Sequence, residues 1–398
     1  MNERPTRILL LDTGNEWGGG TNSMIELLKR IDRTGFAVTC GFYKDYRRGK
    51  EGRLLSEELA DIGIPLVVLP TRRQPRWAKL AKEFVRGLLF WHKPWRAAAV
   101  FAIERCWRIR PRAAVLAELL RREKFDLLYM NNQPASNLEG YLAGEQAGVP
   151  VVQHCRIEPK LNASERDAVN RIARAVICVS HGVAEKLAQQ GVRRALCQVV
   201  HNGIDTHQAL PAPQPGVPAG TPVIGTIGSL VRRKSIDHLL RAVARLPKDI
   251  APQILIVGEG PEEAALRQLA GELGLAGRVT FAGFQKQPLS WLAALDVFVL
   301  TSPSEGLPRA ILEAMLLAKP VVASNVTGSK EVVAHGETGY LYPYGDIDAL
   351  ATHLADLLHH SGQARAFGEA GRRRASADFS IEAYVAGVTK VLGEVAAR

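Results

Sequence analysis

The chain has 398 residues, enough for two or three domains with cores of their own, and its 46% hydrophobic, 23% charged and 6% aromatic residues exclude disordered, collagen-like and low-complexity chains. Five cysteines, at 40, 106, 155, 178 and 197, are odd in number and include no C-x-x-C, which argues against a disulfide framework or a zinc ribbon. The net charge of +11 is concentrated: residues 72–112 carry twelve Lys/Arg against Glu83 and Glu104, and the rest of the chain is nearly neutral.

The first residues show no cationic start followed by an apolar run, and no stretch of 18 or more uncharged apolar residues occurs, so the expectation is a cytoplasmic protein. RILLLD at 7–12 reads as a strand, followed by the glycine-rich turn GNEWGGG and a helical recurrence of Ile25, Leu27, Leu28 and Ile31. FAVTCGFY, IPLVVLP, FDLLYMNN, VPVVQHCR and AVICVS continue as strands, with LEGYLAGEQAG and GVAEKLAQQG as helices between them. ALPAPQPGVPAG at 209–220 holds too much Pro and Gly for an element and reads as an interdomain linker.

A second series follows. PVIGTIGSL, QILIVGEG, RVTFAG, DVFVLTS and KPVVASN are short, β-branched and near-continuously apolar, as buried parallel strands are. IDHLLRAVARL, EEAALRQLAGELG, LSWLAAL and PRAILEAMLLA lie between them with helical period, and IDALATHLADLLHH and a last helix near Ile381–Val395 close the chain. Two βα series imply an α/β protein of two doubly wound domains facing across a cleft. The expected boundaries are 1–208, 209–378, and a C-terminal segment 379–398 packing back on the first domain.

SEGLPRAILEA at 304–314 follows an apolar strand and opens a helix. The free amides of Gly306 and Leu307 and the positive end of the helix dipole form an anion site, and Glu305 and Glu313 are placed to reach sugar hydroxyls; an ordinary capped helix is the plainer alternative. GSLVRRKS puts Arg232, Arg233 and Lys234 at the carboxyl end of a strand, where open α/β sheets bind ligands. There they are suited to neutralising a leaving diphosphate, or form a solvated basic turn. The spacing of Gly14 and Gly18 to Gly20 is not G-x-G-x-x-G, which disfavours a nicotinamide site. Gly258-Glu259-Gly260 reads as a strand-to-helix turn, Asp346-Ile347-Asp348 as helix capping rather than a metal-diphosphate motif, and His154 as a residue facing the cleft or a structural histidine.

The basic segment interleaves Trp77, Trp91, Trp95 and Trp107 with its cations. It fits an anionic membrane surface with tryptophans at headgroup depth, nucleic acid bound through phosphates and stacking, or a solvated helical face. The mixture of Trp, Phe and Leu with Arg and Lys in an otherwise neutral protein favours the membrane, and no nucleic-acid reader motif accompanies it.

GNEWGGG, VVQHC, AVICVSHGVAEKL, HNGID, GSLVRRK, ILIVGEGP, FAGF, SEGLPRAILEAMLLAKPVVAS and ETGYLYP together resemble the retaining glycosyltransferases of family 4, which have the GT-B fold. The resemblance implies that Glu305, Gly306 and Leu307 hold the donor sugar hydroxyls and phosphates, and that Glu313 binds the nucleotide ribose. It further implies Lys234 and Arg233 on the diphosphate, His154 at the transferred sugar, Gly18 and Gly19 in a loop closing on phosphate and acceptor, and backbone near Phe284 at the base. The implied reaction moves a sugar from a nucleotide diphosphate sugar, UDP favoured, to a lipid-linked or saccharide acceptor at the inner membrane face. No metal or other cofactor is implied. Gly228-Ser229 in place of Gly-Arg, and Ser235 in place of glycine, depart from the family pattern.

Overall fold

The computed structural model describes residues 4–14, 17–49, 52–71, 73–214 and 220–397. Asn15 and Glu16 of the glycine-rich turn, Arg72, and 215–219 of the expected linker lie outside these residues.

The first sheet holds seven parallel strands: β1 (Thr6–Asp12), β2 (Phe36–Phe42), β3 (Leu66–Val68), β4 (Leu127–Met130), β5 (Val151–Cys155), β6 (Ala173–Cys178) and β7 (Cys197–Val199), in the order β3-β2-β1-β4-β5-β6-β7. The second holds β8 (Val223–Ile227), β9 (Gln253–Val257), β10 (Val279–Gly283), β11 (Val297–Leu300), β12 (Val321–Ser324) and β13 (Gly339–Tyr342), in the order β10-β9-β8-β11-β12-β13. Each order reverses beside its first strand, between β1 and β4 and between β8 and β11. Crevices open there at the strands' carboxyl ends. The architecture is GT-B.

Core strands such as β1 and β11 are buried on both faces, so they read as unbroken apolar runs rather than alternating ones. The short edge strands β7 and β13 lack that signal and do not stand out in the sequence. Nor does the 18-residue helix Ser361–Asp378, whose glycines resemble breakers. Gly368 is needed there, because a Cβ would lie 2.0 Å from the Ala318 carbonyl oxygen: the helix backs directly onto the main chain.

The terminal helix Ile381–Ala396 buries Ile381, Tyr384, Val388 and Val391 in one cluster with Ile8 and Leu10 of β1 and Ile177 of β6, so it closes one face of the first sheet. The basic segment forms two helices, Arg76–Leu88 and Lys93–Glu104, that pair as a hairpin and continue through a π-helical turn into Arg110–Arg122. Lys82 pairs with Glu104, which also accepts from Arg108 Nε at 2.8 Å, and this clasp closes the hairpin root.

Candidate active site

Loops from both crevices meet between the sheets. The loop after β11 carries Ser304 to Leu307 into the helix Arg309–Leu316. Glu305 is buried, and its Oε1 accepts from Lys234 Nζ at 2.5 Å; Lys234 belongs to the short turn after β8. Thr301 Oγ1 donates to the Lys234 carbonyl at 2.8 Å and so fixes that turn. Ser235 closes it at φ +46°, the left-handed conformation that explains why glycine is the usual residue here. Arg233 is exposed.

The amides of Gly306 and Leu307 have no partner among the described residues and precede a helix start without an acidic residue in its first turn. They provide donors and a positive dipole end for an anion. A Cβ on Gly306 would lie 2.2 Å from the Arg156 carbonyl oxygen, so the two domains meet main chain to main chain at this point. Glu313, one turn into the helix, pairs with Arg309 at 3.4 Å, and burial nevertheless raises its carboxyl above the usual range. Arg309 also donates to the Gly203 carbonyl at 3.1 Å, which ties the HNGID segment to this helix.

On the opposite wall, Gly18 caps the helix Gly19–Arg30, and no atom lies within 4 Å of where a Cβ on Gly18 or Gly19 would point. Both leave open space at a helix N-terminus.

His154 departs from expectation. Its side chain is fully buried on the face of the first sheet that the terminal helix covers, its Nδ1 lies 2.6 Å from Tyr129 Oη, and the Tyr384 ring is 6.3 Å away. Burial and the neighbouring Arg156 lower its pKa well below 6.5, so it is neutral. Strand alternation is the reason: in β5 Val152 and His154 point to this covered face, and the chain reaches the cleft only beyond the strand end.

Beyond the strand end comes Arg156, itself buried at the domain boundary. Its Nε donates to Asn131 at 2.8 Å, and its two terminal nitrogens donate to Asn202 at 3.0 Å and to Tyr384 Oη at 2.9 Å. Asn131 donates in turn to Asp12 at 2.6 Å, and Asn202 donates across the domain boundary to the Leu307 carbonyl at 3.0 Å. A chain of hydrogen bonds thus runs from the strand end before the glycine turn to the Glu305–Leu307 loop. Sequence reading passed over it because Asn131, Arg156 and Asn202 lie far apart along the chain, and nothing local links them.

The four tryptophans separate. Trp77, Trp91 and Trp95 are exposed, whereas Trp107 lies at the hairpin root with its Nε1 buried and Lys82 Nζ 5.5 Å from its ring centroid. Trp107 is therefore a packing residue, and the expectation that it meets a membrane is corrected. No helix among the described residues is long and apolar enough to cross a membrane, and no cluster of three metal-ligating side chains occurs among them. Asp346 accepts from the Ala349 amide at 2.9 Å as a helix cap.

The family model for Glycosyltransferase Family 4 matches residues 17–208, and that for Glycosyl transferases group 1 matches residues 212–374. The chain belongs to the family 4 glycosyltransferases. Among relatives of this glycosyltransferase, the lipopolysaccharide core biosynthesis glycosyltransferase LpsE of Rhizobium meliloti is 33% identical over 210 residues, 52% of this chain and 61% of LpsE. The N-acetyl-alpha-D-glucosaminyl L-malate synthase of Bacillus anthracis is 27% identical over 69% of this chain and 76% of the synthase. In three dimensions, Anabaena Alr3699/HepE in complex with UDP aligns at a TM-score of 0.77 with 25% identity, covering 98% of this chain and 100% of that one.

Proposed function

We propose that this glycosyltransferase moves a sugar from a nucleotide diphosphate sugar, with UDP favoured, to a lipid-linked or lipopolysaccharide precursor at the cytoplasmic face of the membrane, with retention of anomeric configuration. The observation that carries the donor half is the convergence of Lys234, Glu305 and the free Gly306 and Leu307 amides at one helix start. Lys234 and Glu305 satisfy each other. On binding, Lys234 and Arg233 take the diphosphate and release Glu305 to the sugar hydroxyls. The leaving group's charge is met by these cations and the helix N-terminus, so the reading requires no metal. The acceptor hydroxyl attacks from the leaving-group face, and a donor phosphate oxygen takes its proton as the diphosphate departs. Glu313 holds the ribose, backbone near Phe284 the base, and the Gly18–Gly19 turn closes on phosphate and acceptor.

His154 lies beneath this site; we assign the cleft position to Arg156. HepE bound to UDP and the LpsE relationship support a UDP-sugar and a lipopolysaccharide precursor respectively. The Bacillus anthracis synthase argues for a soluble acceptor, but the exposed aromatic hairpin of the first domain favours a lipid-linked one.

Calorimetry with UDP, GDP, ADP and NAD tests the donor half. One nucleoside diphosphate is expected to bind tightly, with affinity about tenfold weaker in Glu313→Gln through the lost charge-assisted contact. Binding of NAD alone, or of none, would sink the reading.

A further inference from the structure

The segment after β2 does work that neither the motifs nor the proposed donor site account for. Residues 46–49 and 52–55 lie alongside each other: Arg47 and Leu54 pair as an antiparallel bridge, the Arg48 amide donates to the Arg53 carbonyl at 2.9 Å, and the Leu55 amide donates to the Tyr46 carbonyl at 3.0 Å. The base of the segment is fixed to the glycine turn. Tyr46 is buried, its Oη lies 3.3 Å from Thr21 Oγ1, and its ring meets Trp17 edge-on at 6.2 Å. Trp17 is held by its own bond from Nε1 to Asn22, 2.7 Å long, and the Arg48 guanidinium lies 5.5 Å from its ring centroid.

Gly49 meets the other domain. A Cβ on Gly49 would lie 2.5 Å from Cγ of Phe284, so only glycine lets the main chain rest on that ring, and φ of +72° favours glycine as well. Burial raises the Glu313 carboxyl, and the charge of Arg48, after that of Arg309, acts against this. Phe284 and Glu313 are the positions given above to base and ribose.

We infer that residues 46–49 form a cross-domain latch, in which Gly49 seats on Phe284 and Arg48, propped on Trp17, adds a cation from the acceptor domain to the nucleoside diphosphate site of the donor domain. The latch rests on the donor reading for its ligand. It makes closure and nucleotide binding one event, because the wall that Arg48 completes exists only when the domains meet.

The test is calorimetry of UDP, GDP and ADP with wild type, Arg48→Ala, Arg48→Lys and Gly49→Val, together with small-angle scattering of the unliganded proteins. Arg48→Ala is expected to bind the preferred diphosphate about tenfold more weakly, the scale of one charge-assisted contact, with Arg48→Lys recovering part of the loss. In turnover the loss should fall on the donor KM rather than on kcat. Gly49→Val should weaken binding and enlarge the radius of gyration by holding the domains apart. Should Arg48→Ala fold poorly, Arg48→Lys and Gly49→Val still decide. Wild-type affinity and dimensions in the variants would overturn the latch alone, whereas a wild type that binds none of the diphosphates would refute the donor reading beneath it.

Discussion

Arg156 binds three partners at once at the domain boundary. Each of its nitrogens meets a different oxygen, and the buried Asp12 carboxylate, raised by burial and lowered by Gly14, Asn131 and Arg156, stands behind Asn131. Removing the cation leaves that carboxylate uncompensated, a situation that costs about 3 kcal/mol. Arg156→Ala is therefore expected to lower stability by about that amount in chemical denaturation, and Asp12→Asn by less. His154 makes a second residue-scale prediction. Its folded pKa lies well below the 6.5 of the free side chain, so the unfolded chain binds more protons, and the stability that His154 contributes is present above about pH 6.5 and lost as pH falls below it. Thermal melts from pH 7 to pH 5 should show a smaller fall in His154→Gln than in wild type.

At the scale of elements, the hairpin Arg76–Glu104 separates two jobs. Lys82 and Glu104, with Trp107 of the π-helical turn that follows, close its root, while Trp77, Leu80, Phe84, Leu88, Phe90, Trp91 and Trp95 stand 53% to 70% exposed. On the first helix the exposed apolar residues recur at 77, 80, 84 and 88, one stripe flanked by Arg76, Lys79 and Arg86. Such a stripe, with cations beside it, suits the headgroup region of an anionic bilayer. Trp91→Ser/Trp95→Ser is expected to cut co-flotation with anionic vesicles at least tenfold, at unchanged melting temperature because both rings are solvated. Equal flotation with neutral and anionic vesicles would remove the charged part of the argument.

At the scale of the whole molecule, Glu331 ties the domains together. It lies in the second domain, yet its carboxylate accepts from the His181 amide at 2.8 Å and the Gly182 amide at 2.6 Å, at the N-terminus of the first domain's helix His181–Gln189, with His201 Nε2 3.4 Å away. Burial pushes its carboxyl up, but the nearby His201 and the bonds from these amides outweigh it and hold the pKa below the ordinary 4.5. The contribution to closure is thus complete above about pH 4.5 and lost as pH falls through the depressed pKa. Glu331→Gln should weaken closure by about 1 kcal/mol at neutral pH and enlarge the radius of gyration of the unliganded protein, while making closure less sensitive to acid.

The sequence by itself determined the two βα series and the helix that follows Pro308, because buried parallel strands and proline-led helix starts are written in contiguous residues. It also located the basic aromatic segment, since composition needs no fold to be read. Only the tertiary structure decided which tryptophans are wetted, that His154 turns inward while Arg156 binds Asn131 and Asn202 at the domain boundary, and that Gly49 and Glu331 contact the other domain. Strand pairing and interdomain contacts set those directions, and they join residues more than a hundred positions apart, such as Ile8 with Leu127 and Asn202 with Leu307. No local spacing carries that information.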